Sequence, residues 1–247
     1  MTTPRFHYLL FDLGGTLMHA LKEWDSVYER GDQALVQKLH ENGITLDNRV
    51  YRAHLSEYYE QREKDYRETT YHFVLSELLN ELGYSEVPES TIRSALNALF
   101  SVTQSNWALE DDVIPTVQQL KSQNYQLGIL SNAGDDKDVQ ELIERFGIRA
   151  HFDFVLTSAA CFYRKPHPRA FELALAHWSI QPEEAVMIGD SLEADILGAQ
   201  NLNMRTIWIT RRAEFTDDDL HKIKPDFSVR KLKELPPTIE RISLSRI

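Results

Sequence analysis

Short apolar runs, each closed by a turn signal and separated from the next by an amphipathic helical stretch, constrain this chain more than any other feature of its sequence. Residues 6–11 read FHYLLF and stop at Asp12, just before Gly14 and Gly15. Comparable runs occupy 126–130, 152–156, 185–188 and 205–209, with a further possible strand at 226–229. Runs of this length bounded by turns read as buried strands. Between them the pattern predicts helices: one from Pro115, with Val117 and Leu120 on one face, then 136–146, 168–178 and 193–200. Pro115 suits a helix start because its fixed φ and missing N–H cost nothing there. Strands alternating with helices demand right-handed βαβ crossovers, so the expected fold is α/β, a doubly wound parallel sheet.

The stretch 19–109 breaks this rhythm. It offers no convincing strand and carries long helical patterns such as 24–41, ended by Asn42-Gly43, and another beginning near Asp47, a good N-cap. Seven of the ten tyrosines fall here, and they read as helix-packing residues more readily than as substrate contacts. The expected organisation is a core of residues 1–18 and 110–247 with an inserted all-helical domain at 19–109.

In a parallel sheet, ligands gather outside the carboxyl ends of the strands. The first strand ends in Asp12-Leu13-Gly14-Gly15-Thr16 and the second in Ser131-Asn132. Arg164-Lys165-Pro166 follows the third, and Gly189-Asp190-Ser191 the fourth, with Asp195 one helical turn on. Two carboxylates on one sheet edge call for a cation between them. All-oxygen ligands select a hard ion, and Mg²⁺ commonly takes one or two carboxylates plus water and phosphate. Lys165, Ser131 and the backbone N–H groups of the Gly14-Gly15 turn can meet phosphate oxygens. Other features read more plainly: Cys161 as a small buried residue, and Asp135, Asp136 and Asp138 as a solvated helix start.

These four segments, in this order and context, resemble the four motifs of the haloacid dehalogenase superfamily, and the likeness spans nearly the whole chain. The helical insertion resembles that family's C1-type cap over a Rossmann-like core. The resemblance implies a Mg²⁺-dependent hydrolase, a phosphatase acting on a small phosphorylated metabolite. In that scheme Asp12 is the nucleophile; Asp12, Asp190 and the Gly14 carbonyl bind Mg²⁺. Ser131 and Lys165 hold the phosphoryl group, Gly15 and Asn132 help to bind phosphate, and Asp195 acts from behind Asp190. One position departs from the pattern. Family phosphatases usually carry a general-acid Asp two residues after the nucleophile, where this chain has Gly14. A general acid contributes on the order of 10²–10⁴-fold. The substrate then has a good leaving group, or another residue such as His19, Lys22 or Glu193 supplies the proton, or the protein is a weakly catalytic binder of phosphorylated ligands. Dehalogenase and phosphonatase branches lack that Asp as well; Asp190 speaks for a metal site and against the first, and Lys22, Lys38 and Lys64 do not resemble the lysine motif of the second.

Composition narrows the partners. With 38 Asp+Glu against 27 Lys+Arg the net charge is −11, which disfavours docking on nucleic-acid phosphates or anionic membranes. No apolar run approaches the roughly 20 residues of a membrane span, and the first fifteen residues lack a signal-peptide layout. One cysteine excludes an intrachain disulfide and a cysteine zinc cage. The expectation is a cytoplasmic enzyme with a small phosphorylated substrate; no sequence feature points to an oligomeric state.

Overall fold

A computed structural model describes residues 6–244; the outermost parts of the expected core segments, 1–5 and 245–247, lie outside the described residues. Six strands form one parallel sheet: β1 (Tyr8–Phe11), β4 (Gln126–Ser131), β5 (Phe154–Thr157), β6 (Ala185–Gly189), β7 (Arg205–Ile209) and β8 (Phe227–Val229). Their order is β5-β4-β1-β6-β7-β8. The chain winds outward from β1 through β4 to β5, then crosses back to β6 and winds out on the other side. In register, Tyr8 pairs with Gln126 and Ala185, and Phe11 with Ile129 and Ile188. Consecutive residues of β1 feed opposite faces: Leu9 and Phe11 join one apolar cluster, Leu10 another. A strand covered on both sides needs apolar residues throughout, which is why this one reads as an unbroken run. The doubly wound α/β fold is therefore present as the sequence predicts.

Four helices fill most of the inserted stretch: α1 (Trp24–His40), α2 (Asn48–Asp65), α3 (Tyr71–Glu81) and α4 (Glu89–Gln104). Asp47 caps α2, accepting from the Arg49 N–H at 2.7 Å. Leu35, Leu39, Leu75, Leu96, Leu99 and Tyr51 give these helices an apolar cluster of their own. The expectation of no strand between 19 and 109 needs correcting. β2 (Met18–Ala20) and β3 (Trp107–Leu109) pair antiparallel where the chain enters and leaves the insertion, Met18 opposite Leu109 and Ala20 opposite Trp107. Three residues are too few to show an alternation, so this pairing is invisible until both ends are brought together.

Two helix starts also shift. Helix α5 (Val113–Ser122) begins two residues before Pro115. Proline is tolerated there because the first turn's N–H groups have no intrahelical partner. The segment expected as a helix at 193–200 is a π-wound turn, Leu192–Leu197, running into Gly198–Gln200. Among the described residues no helix is long and apolar enough to cross a membrane.

Candidate active site

The sheet changes winding direction at β1, and the strand-end segments converge beyond its carboxyl end, where ligands of doubly wound sheets gather. The Asp12 N–H donates to the Ile188 carbonyl at 2.9 Å, extending the β1–β6 ladder by one residue and fixing the side chain at the sheet edge. Lys165, 3% exposed, brings its Nζ within 2.6 Å of Asp12 Oδ1 and 2.6 Å of Asp195 Oδ1. The second oxygen of Asp195 accepts the Ser191 N–H at 3.0 Å. Asp190 accepts from the Thr16 hydroxyl at 3.2 Å, and its carbonyl accepts the Trp208 indole N–H at 2.8 Å. Thr16 closes the first strand-end segment but has no role in the expected scheme, and Trp208 has no signature in the sequence; they matter because they hold the Asp190 loop.

One oxygen each from Asp12, Asp190 and Asp195 lies within 4.8 Å of the others. Three carboxylates thus face a single ammonium. Burial, then repulsion from Asp12 and Asp195, pushes Asp190 up to about 8. Burial and Asp12 raise Asp195 to about 6 against the pull of Lys165. Burial alone would lower Lys165, but the two carboxylates beside it raise it overall. A cluster with excess negative charge and only oxygen donors fits a hard divalent cation. A pH dependence follows. Carboxylates raised in the folded state stabilise the fold below their unfolded pKa, and that contribution is lost as pH rises from about 4 toward 8. Without metal, thermal unfolding should occur at lower temperature at pH 8 than at pH 5, and added Mg²⁺ should raise the midpoint more at pH 8. Equal Mg²⁺ shifts at both pH values would contradict this account.

Ser131, at the end of β4, lines the same cavity as Asp12 and Lys165. Asn132 lines the same cavity, and its amide clasps the Lys165 peptide, donating to the carbonyl at 2.9 Å and accepting the N–H at 2.8 Å. It positions the lysine. The Gly15 N–H donates to the Met18 carbonyl at 2.7 Å. What Gly15 provides is space: with φ near +80°, a Cβ there would stand 2.1 Å from Asp190 Oδ2.

Above this cluster opens a cavity of about 970 Å³ between the sheet edge and the helical insertion. Tyr28, Tyr59 and Tyr71 line it, while Tyr51 is buried in the helical cluster. The tyrosines therefore divide between packing and cavity wall, which composition could not distinguish. The solvated helix start expected at 135–138 is also corrected. Asp135 is buried, caps α6 (Asp136–Arg145) and binds Arg93 at 2.7 Å; Asp138 accepts from Gln104 at 2.9 Å on the cavity wall. Both partners come from α4, which the local sequence does not reveal. Of the substitute acids considered, His19 Nδ1 sits 3.2 Å from Glu110, Glu193 accepts from Tyr66 at 3.1 Å, and Lys22 is exposed. None of the three lines this cavity.

The insertion also grips the loop that carries Lys165. The Glu68 N–H donates to the Phe162 carbonyl at 3.0 Å, and the Arg164 N–H to the Tyr66 carbonyl at 2.8 Å. The buried Glu68 carboxylate accepts from the Ser158 hydroxyl and the Arg164 guanidinium. A buried charge left without such partners would be costly, so these bonds favour the arrangement in which the helices close over the site.

A family model described as haloacid dehalogenase-like hydrolase matches residues 9–209. The chain belongs to this family and is an enzyme of the hydrolase class. A glyceraldehyde 3-phosphate phosphatase of Methanopyrus kandleri is 29% identical over 241 residues, covering 95% of this chain and 97% of that one. A glyceraldehyde 3-phosphate phosphatase of Pyrococcus furiosus is 33% identical over 127 residues, where the chain spans about half the length of the relative, 52%. Among solved structures, a HAD phosphatase from Thermococcus onnurineus superposes with a TM-score of 0.64 at 23% identity, over 95% of this chain and 98% of that one, a likeness of fold.

Proposed function

We propose that this protein is a Mg²⁺-dependent phosphatase of small phosphorylated metabolites, working through an aspartyl-phosphate on Asp12. The observation that carries the proposal is the Lys165 ammonium, 2.6 Å from both Asp12 and Asp195 with Asp190 alongside, at the sheet's switch point. The relatives named as phosphatases support the same chemistry. Asp12, Asp190 and the Gly14 carbonyl would hold Mg²⁺, which when bound offsets phosphoryl charge and orients the ester for in-line attack. Lys165 holds Asp12 in place, and its charge attracts the phosphoryl oxygens. Ser131 donates to one of those oxygens. Asp195 anchors Lys165 from below, and Asn132 fixes its backbone. In this scheme residues 19–109 form a cap that closes over the site, excludes water and shapes the substrate cavity. The presence of Asp190 beside Asp12 favours this scheme over carbon–halogen hydrolysis, which has no use for a second carboxylate at the nucleophile.

Phosphate release from a panel of phosphomonoesters, with Mg²⁺ and with EDTA, tests the proposal. Turnover is expected only with the metal. Release that continues undiminished in EDTA, or halide release from 2-haloacids in place of phosphate release, would overturn it.

A further inference from the structure

The side chain nearest to position 14 in the cavity wall is aromatic. A Cβ built at Gly14 would meet Trp107 first, with Cη2 at 3.1 Å, Cζ3 at 3.7 Å and Cζ2 at 3.9 Å. The edge of an indole six-membered ring thus stands where a side chain from position 14 would go. Trp24 lies against Trp107 with ring centroids 4.9 Å apart, and Tyr28 stacks on Trp24 at 5.1 Å. All three rings share one cavity with Asp12, Ser131 and Lys165. At about 970 Å³ it stands at the upper end of the roughly 300–1,000 Å³ common for small-molecule sites. A phosphate on a three-carbon body would leave most of it empty.

Position 14 supplies no proton donor, and most ionisable groups lining the cavity have partners of their own, although Asp138, pushed up to about 7 by burial, lines the same cavity. Lys165 is shared by Asp12 and Asp195; Asp32 is paired with Arg52 at 2.6 Å, Asp135 with Arg93 and Asp138 with Gln104. Glu193 and His19 have the partners already given. A leaving oxygen beside Gly14 meets carbon. An aliphatic alkoxide departing there without a proton is a poor leaving group, whereas a phenol ionises near pH 10 and its anion leaves without help.

We infer that the preferred substrates are phosphate monoesters of aromatic alcohols, with the aryl ring lying against Trp107 and Trp24 and the aryloxide departing unprotonated. This rests on the phosphatase proposal and specifies its substrate class. An Asp12 carboxylate oxygen forms a bond to phosphorus as the P–O(aryl) bond breaks, its electron pair leaving on the aryloxide, which takes a proton from solvent. Water then attacks phosphorus, breaks the P–O bond to Asp12 and releases inorganic phosphate. The sum is ester plus water giving phenol plus phosphate. Trp107 and Trp24 act as specificity determinants and have no part in moving protons.

Three substrates separate the two halves of the inference: phenyl phosphate has ring and leaving group, benzyl phosphate has the ring but an alkoxide leaving group, and acetyl phosphate has a good leaving group but no ring. With Mg²⁺ present, kcat/KM for phenyl phosphate is expected to exceed that for benzyl phosphate by about 10²-fold or more, the size of a missing general acid, and to exceed that for acetyl phosphate as well. Trp107→Leu should lower phenyl phosphate turnover by about ten-fold, the scale of one lost aromatic contact, and narrow the phenyl-over-acetyl ratio. Trp107→Phe, which keeps a ring, should retain most of that ratio. Calorimetry gives a readout independent of turnover: phenylphosphonate should bind more tightly than methylphosphonate, and Trp107→Leu should erase the difference. Equal kcat/KM for phenyl and benzyl phosphate would show that a proton is supplied and overturn the inference, as would an unchanged phenyl preference in Trp107→Leu. If none of the three esters is hydrolysed and Asp12→Asn behaves as wild type, the phosphatase proposal itself falls; if benzyl phosphate is turned over as well as phenyl phosphate, only the substrate class falls.

Discussion

Asp12→Asn is expected to reduce phosphate release by at least about 10⁴-fold, the scale seen when a nucleophile is removed from a covalent mechanism. The replacement keeps the shape of the side chain, so the loss reports chemistry and not packing. Stability should move the other way. Asp12 is one of three buried carboxylates facing one ammonium, and without metal the substitution removes a like charge while Lys165 keeps Asp195. The metal-free variant should therefore unfold at a temperature no lower than wild type, and the gap should widen toward pH 8, where Asp190 is ionising. An inactive protein with unchanged or raised thermal stability is the expected pair of results. Retained turnover would remove Asp12 from the mechanism.

Lys165→Met should damage both properties. The substitution approximates the length of the side chain but deletes its charge, leaving Asp12, Asp190 and Asp195 together without a cation. Breaking a buried ion pair by removing one partner costs about 3–5 kcal/mol, which for a chain of this size corresponds to a fall in melting temperature of about 10 °C. The loss should shrink at pH 5, where the raised carboxylates accept protons, and Mg²⁺ should restore part of it at pH 8. Turnover should fall by about 10³-fold even in the folded, metal-loaded protein, since a fixed positive charge at the phosphoryl group is gone. Thermal melts at pH 5 and pH 8, with and without Mg²⁺, read the first effect. Single-turnover kinetics on the folded fraction read the second. A variant as stable at pH 8 as wild type would mean that another cation balances the cluster.

Much of this geometry was legible in the sequence because it is local. Asp12 and Asp190 directly follow a strand, Ser131 ends one, and Lys165 and Asp195 lie a few residues beyond one; a parallel sheet delivers such positions to one edge. What could not be read depends on residues meeting from distant segments. Glu68 and Arg164 are 96 positions apart, and nothing around Glu68 marks it as the partner of the Arg164-Lys165-Pro166 segment. Asp135 and Asp138 look like ordinary helix-opening carboxylates until Arg93 and Gln104 arrive from another helix. Trp107 reads as one more aromatic in a helical stretch, and only the fold sets its ring against Gly14. The loop-shaping hydrogen bonds of Gly15 and Asn132 were equally hidden, because their partners, Met18 and the Lys165 peptide, are set by the fold.

The short ladder between β2 and β3 has a consequence for how such enzymes diversify. Because Met18 lies opposite Leu109, the chain enters and leaves the insertion at a single point, a two-stranded ladder separate from the main sheet. Whatever is spliced between those two residues leaves the strand order and the Asp12 turn untouched. A foreign helical segment whose ends lie one strand spacing apart could be grafted at this junction, provided that it also replaced the bonds by which Glu68 and Arg93 now hold the Arg164 loop and Asp135. For protein engineers, the place to exchange selectivity wholesale is this three-residue seam.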